Sequence, residues 1–250
     1  MVNLRFYWTV IQSLPYATYV VPKAEYMATH PEKYSRQDCF DFARHLFKYI
    51  KRKCYTVTKV YGRENIPDTD NCVFYSNHEG KYDAVGILDA MERPCSVLWE
   101  RKQSRIIIAK QVCDLLNGVT IDLNDMRDKV RSISSMTDRL KSGYNMLVFP
   151  EGGYNNEKKN SLTEFQSGCF ACAFRAKSTV VPITIYDSYK ALNSDTFEKV
   201  TTQVHFLKPI NYSEYKDMTK NQLMDLVKER ISDRLKNIEL GNFAYGENGD

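Results

Sequence analysis

Cys72-Val73-Phe74-Tyr75-Ser76-Asn77-His78-Glu79-Gly80-Lys81-Tyr82-Asp83 is the stretch on which the fold turns. Cys72 to Ser76 is a compact apolar run. It passes into a polar, glycine-bearing turn, and Ala84 to Met91 then reads as a helix that stops before Pro94. A short run apolar at every position reads as a strand buried on both faces, and strand, turn and helix in that order form the repeating unit of an α/β sheet.

The same alternation extends outward. Thr56 to Tyr61, Cys95 to Trp99, Val119 to Ile121, Met146 to Phe149 and Gln203 to Leu207 read as strands. Val180 to Ile185 is another, predicted to be broken or to lie at an edge because of Pro182. Helices are predicted over Ile106 to Leu116, over Phe165 to Ala176 and over Met126 to Leu140, the last with Val130, Ile133, Met136, Thr137 and Leu140 on one face. Thr219 and Gln222 have capping-box spacing and open an amphipathic helix with Leu223, Leu226, Val227, Ile231, Leu235 and Ile238 inward. The predicted fold is an α/β domain over residues 56–250, with a mixed, largely parallel sheet flanked by helices.

Composition limits the function classes. The chain has 250 residues, 43% apolar and 26% charged, which excludes wholesale disorder and allows one sizeable core. A net charge of +4 is too small for a dedicated nucleic-acid binder, so no nucleic-acid partner is expected. Seven scattered cysteines with no preceding signal sequence read as reduced thiols in a cytosolic protein. Cys169 and Cys172 have C-x-x-C spacing. Without a second ligand pair they read as small buried residues on a helix, and no metal site is predicted.

Residues 1–55 read as a separate helical segment. Leu4, Phe6, Tyr7, Trp8, Val10, Ile11, Leu14, Tyr16 and Tyr19 make its first part aromatic. Phe40, Phe42, Ala43, Leu46, Phe47 and Ile50 then repeat at helical spacing into Lys48, Lys51, Arg52 and Lys53. Apolar face plus basic flank fits a helix lying in an anionic membrane interface, and fits equally a helix packed on the domain. No stretch reaches the ~20 apolar residues of a spanning helix.

In parallel sheets, ligands gather beyond the C-terminal strand ends. Three polar loops fall there: Asn77 to Asp83, Asp122 after Ile121, and Pro150-Glu151-Gly152-Gly153. They bring His78, Asp83 and Glu151 together on one edge. A carboxylate five positions after a histidine, across a strand-to-helix turn, can hold Nδ1–H and leave Nε2 as a general base. No G-x-S-x-G elbow is present, so His78 would activate a hydroxyl on a bound substrate.

Four blocks in order resemble the glycerophospholipid acyltransferase family, the group of 1-acyl-sn-glycerol-3-phosphate acyltransferases. Asn77-His78-x4-Asp83 is similar to the family's H-x4-D motif, and Phe149-Pro150-Glu151-Gly152 to its F-P-E-G motif. Gly118-Val119-Thr120-Ile121-Asp122 resembles the G-x-x-I-D block, and Val181-Pro182-Ile183 the V-P-[IV] block. The resemblance implies transfer of a fatty acyl group from acyl-CoA or acyl carrier protein, as co-substrate and not cofactor, to a lysophospholipid hydroxyl. By the same resemblance His78 is the base, Asp83 orients it, Glu151, Gly152 and Gly153 belong to the acceptor loop, and Asp122 supports the site. The helical segment before the domain is similar to that of monotopic family members, which implies the cytoplasmic face of a membrane.

The chain departs from the pattern twice. Leu123 follows the I-D pair where the family commonly has arginine, and F-P-E-G continues as Gly153-Tyr154-Asn155 rather than G-T-R-S. A guanidinium fork on phosphate is not replaced by Leu or Tyr. Lys81, Arg101 and Lys102 are the nearest substitutes in sequence. Three alternatives stay open: another lysolipid acceptor, a catalytically silent lipid-binding protein on the same scaffold, and a hydrolase using His78 on water.

Overall fold

The structure, a computed structural model, describes residues 4–155 and 157–241. Two helices come first: α1 (Leu4–Thr29) and α2 (Arg36–Lys53). The α/β part follows as β1 (Thr56–Tyr61), β2 (Cys72–Ser76), α3 (Asp83–Ala90), β3 (Cys95–Glu100), α4 (Ala109–Leu115), β4 (Val119–Ile121), α5 (Met126–Lys141) and β5 (Asn145–Val148). It ends with α6 (Ala171–Ala176), β6 (Thr179–Tyr186), α7 (Tyr189–Asn193), β7 (Val200–Phe206), α8 (Tyr212–Tyr215) and α9 (Lys220–Glu239).

Among the described residues the strands form one seven-stranded sheet, order β1-β7-β6-β2-β5-β3-β4. Neighbours run parallel except β6 and β7, so the sheet is mixed and largely parallel, as the alternation predicts. β2 is buried at every position. Its side chains alternate between two cores. Cys72 and Phe74 join α1, α2 and α3 residues on one face, while Val73 and Tyr75 join α5, α6 and α9 residues on the other. The helices of the N-terminal segment thus share a core with the sheet.

Local signals explain the helix starts. Ser35 and Asp38 cap α2 reciprocally, and Thr219 and Gln222 do the same for α9. The apolar face of α2 (Phe40, Ala43, Leu46, Phe47) is buried in the domain. α1 behaves differently. It runs through Pro15 and Pro22 and leaves Leu4, Tyr7, Trp8, Ile11 and Leu14 exposed at helical spacing. Among the described residues no helix is long and apolar enough to cross a membrane.

Several expectations need correction. β6 is an interior strand, flanked by β2 and β7, and Pro182 does not break it. The ladder with β7 ends at Ile183↔Phe206, and the next bridge is Val180↔Ile210. Residues 207–209 therefore oppose only 181 and 182, which is a bulge, and a bulge tolerates a missing N–H. Leu207 N–H still donates to the Pro182 carbonyl at 2.9 Å. Val130 does not face the core on α5: it is 61% exposed. Ile106 to Ile108 lie outside α4, with Ile108 at φ +75°. Phe165 and Gln166 are not helical, and Ser167–Phe170 is a 3-10 turn before α6.

Candidate active site

Parallel strands deliver their outgoing loops to one edge, and the strand order decides which loops meet. β2 lies between β6 and β5, so the Asn77–Tyr82 loop is flanked by the loops after those two strands. Asn77 pins it on one side: its amide oxygen accepts Ile185 N–H at 2.8 Å, and its NH2 donates to the Ile185 carbonyl at 3.0 Å. Glu151 pins it on the other, with Oε1 accepting the His78 N–H at 2.8 Å.

Asp83 opens α3 and is fully buried. Its Oδ2 lies 2.6 Å from His78 Nδ1 and also accepts the N–H groups of Glu79 (2.6 Å) and Gly80 (2.9 Å). A carboxylate surrounded by donors is an acceptor, so Nδ1 carries the imidazole proton and Nε2 keeps its lone pair. The His78 side chain is 19% exposed, enough for that nitrogen to meet a substrate. The ring stacks on Phe149, with centroids 4.3 Å apart, and makes a T-shaped contact with Tyr154 at 4.8 Å. Burial raises the Tyr154 phenol above its ordinary value, so it stays protonated.

The loop after β5 turns at Gly152, where φ is +72°, in the left-handed region that glycine adopts without strain. Gly153 is exposed beside it. Glu151 Oε2 accepts the Thr163 N–H at 2.9 Å and the Thr163 hydroxyl, which anchors the far limb of the loop. Glu79 is buried under the site. Its Oε2 accepts the N–H of Ser188 at 2.7 Å, and burial, followed by the nearby Asp83, pushes its carboxyl well above the usual carboxylate range.

Of the remaining predicted residues, Lys81 is on the same loop, and Arg101, Lys102 and Asp122 follow strands farther along the sheet. β3 is two strands from β2 and β4 is three, so at ~4.8 Å per strand their loops start roughly 10 and 14 Å away. Asp122 is occupied in its own turn, accepting Asn124 N–H at 2.9 Å while its N–H goes to Asp128. Arg101 pairs with the buried Asp128 at 2.6 Å, and Lys102 is exposed. Lys81 is exposed on the Asn77–Tyr82 loop, with its ammonium 4.8 Å from the Phe6 ring centroid. Leu123 approaches Gly152, its methyls 3.9 Å from where a Cβ would stand. Ser188 and Thr163 carry no sequence signal of their own. Ser188 does follow a strand whose end the loop rule marks.

Comparison with known proteins follows this geometry. A family model described as Acyltransferase matches residues 57–186, more than half of the chain, including His78, Asp83 and Glu151. A 1-acyl-sn-glycerol-3-phosphate acyltransferase of Chlamydomonas reinhardtii is 26% identical over 92% of this chain and 68% of its own length. The 1-acyl-sn-glycerol-3-phosphate acyltransferase of Salmonella typhimurium is 23% identical, over 62% of each chain. The human 1-acyl-sn-glycerol-3-phosphate acyltransferase alpha is 26% identical over 61% of this chain and 54% of its own. The chain thus spans between 54% and 68% of these relatives' lengths. The crystal structure of the 1-acyl-sn-glycerophosphate acyltransferase PlsC from Thermotoga maritima superposes with a TM-score of 0.75, covering 98% of this chain and 96% of that one. At 20% identity that likeness shows a shared fold. With the family model matched across the site-bearing strands, this chain belongs to the Acyltransferase family.

Proposed function

We propose that the protein moves a fatty acyl group from a thioester, acyl-CoA or acyl carrier protein, to a lysophospholipid hydroxyl. The acceptor named in its relatives, 1-acyl-sn-glycerol-3-phosphate, is the first candidate. The observation that carries this reading is the 2.6 Å contact from His78 Nδ1 to the buried Asp83, which leaves Nε2 as a base.

The chemistry balances without a covalent enzyme intermediate. Nε2 takes the acceptor's hydroxyl proton as the oxygen attacks the thioester carbonyl, giving a tetrahedral oxyanion. The C–S bond then breaks, and the imidazolium returns the proton to the departing thiolate. Asp83 stabilises the imidazolium between these steps.

Delivery from a membrane is supported by α1. Its first turns lie beside the Asn77–Tyr82 loop, as the Lys81–Phe6 contact records, and another face of the same turns carries the exposed apolar stripe. Exposed Lys48 and Arg52 sit near the same end, because Arg5 of α1 bonds the Cys54 carbonyl next to them. A peripheral or monotopic position on the cytoplasmic face of an anionic membrane fits this arrangement.

A second acceptor is favoured by Leu123 against Gly152 and Tyr154 against His78, two uncharged side chains beside the acceptor loop. The deciding experiment supplies purified protein with labelled acyl-CoA and a panel of lysolipids, reading thiol release and product together. Acylated product that disappears in His78→Ala supports transfer. Thiol release without any acceptor marks a hydrolase, and vesicle binding with no thiol release marks a silent lipid binder.

A further inference from the structure

Ser188 stands immediately before α7, where a serine hydroxyl ordinarily accepts a backbone N–H of its own helix. It makes no such cap. The hydroxyl donates instead to Asp83 Oδ1 at 2.6 Å, in a site where Ser188 is buried and Asp83 is fully so. The three donors on Oδ2 come from His78, Glu79 and Gly80, all within the loop. The donor on Oδ1 comes from beyond β6.

Ser188 is itself held. Glu79 Oε2 accepts its N–H at 2.7 Å and that of Tyr189 at 3.4 Å. Gly80 permits the approach: a Cβ there would lie 2.7 Å from Asn193 Nδ2 and 3.4 Å from Tyr189 Cα. We propose that Ser188 is a positioning residue for acyl transfer, fixing the carboxylate plane of Asp83 and through it the His78 ring, with Glu79 as the bracket that holds Ser188. This rests on the reading of His78 as the base.

A carboxylate held at one oxygen can turn about its last torsion; a donor on each oxygen fixes the plane. Each donor also withdraws negative charge that would otherwise favour the imidazolium. Burial, followed by the nearby Asp83, pushes the Glu79 carboxyl well above the usual range, while the N–H groups of Ser188 and Tyr189 act in the opposite direction. The titratable groups around the imidazole are Asp83, Glu79, Glu151 and Tyr154, with Asp187 and Tyr189 behind Glu79.

The test compares Ser188→Ala, Ser188→Thr, Glu79→Ala and Glu79→Gln with the unaltered protein. It uses the most active lysolipid acceptor and acyl-CoA, with thermal melts confirming folding. Loss of the hydroxyl is expected to lower kcat about tenfold, the scale of one charge-assisted hydrogen bond, with KM unchanged within about twofold. The acid limb of the kcat/KM profile should move to higher pH, because Asp83 then stabilises the imidazolium more. Ser188→Thr should recover part of kcat, Glu79→Ala should reproduce the Ser188→Ala profile, and Glu79→Gln should retain more activity than Glu79→Ala. A Ser188→Ala protein with unaltered kcat and pH profile overturns the inference, as does a loss confined to KM. His78→Ala run alongside separates the two readings: if it stays active the transfer mechanism itself fails, and if it is inactive while Ser188→Ala is normal only the positioning role fails.

Discussion

The Glu151 carboxylate accepts the backbone N–H of His78 on one oxygen and two Thr163 donors on the other, so one side chain joins the loop after β2 to the loop after β5. Glu151→Ala removes all three bonds. It is expected to lower kcat by about 10- to 100-fold and stability by about 1–3 kcal/mol. Steady-state kinetics beside a melt check both numbers. Glu151→Gln keeps one carbonyl acceptor and should fall between. A fully active Glu151→Ala protein would remove this residue from the site.

The acid stability of the fold should depend on His205. Its ring is buried, Nδ1 accepts from Arg234 at 2.9–3.1 Å, and burial with the facing guanidinium brings its pKa down to about 3. That lies below the ordinary 6.5, so the unfolded chain binds the proton more readily. The stabilisation is complete above pH 6.5 and is lost as pH falls toward 3, by up to ~1.4 kcal/mol per pH unit. His205→Asn, which offers an oxygen where Nδ1 stood, should flatten this slope relative to the unaltered protein in urea titrations at pH 7, 5.5 and 4.5.

Arg5 is 1% exposed and bonds carbonyls rather than a carboxylate: Cys54 at 2.5 and 2.9 Å, Glu198 at 2.8 Å and Thr196 at 3.2 Å. Its charge sits at the C-terminal end of α2, where the helix dipole is negative. Arg5→Ala leaves these carbonyls without their donor and should cost about 2–4 kcal/mol. Limited proteolysis should then cut within α1 first. Unchanged denaturation midpoints would refute this anchoring role.

The exposed stripe of α1 gives a fourth test. Trp8 packs edge-on against Phe197 at 6.1 Å, and both are about half exposed. If this face enters a lipid interface, Trp8→Ser with Ile11→Ser should weaken binding to anionic vesicles by at least about tenfold, given ~25 cal/mol per Å² of apolar surface lost from contact. Cosedimentation measures it, and equal binding by the variant would place the contact elsewhere.

Much of the centre was legible because it is local. Five positions and a turn link His78 to Asp83, and the apolar run before them fixes the strand. Glu151 was legible through its motif. That the loops of Asp122 and Arg101 start three and two strands from β2 is not legible, because the chain shows which strands end in polar loops and not their lateral order. β4 is an edge strand, and Arg101 is taken up by Asp128. The Ser188–Asp83 bond joins residues 105 positions apart, a separation that no local pattern encodes. Pro182 misled for a similar reason: its bulge depends on where β7 joins, far along the chain.

The imidazole is gripped by the stacked Phe149, by Tyr154 in a T-shaped contact and by Asp83 at Nδ1. A ring held on three sides does not swing between partners. Under the proposed transfer, the nitrogen that takes the hydroxyl proton is then the one that reprotonates the thiolate, with both reactants lodged at once on the same side of the ring. Initial-rate plots against the two substrates should converge as for a ternary complex rather than run parallel.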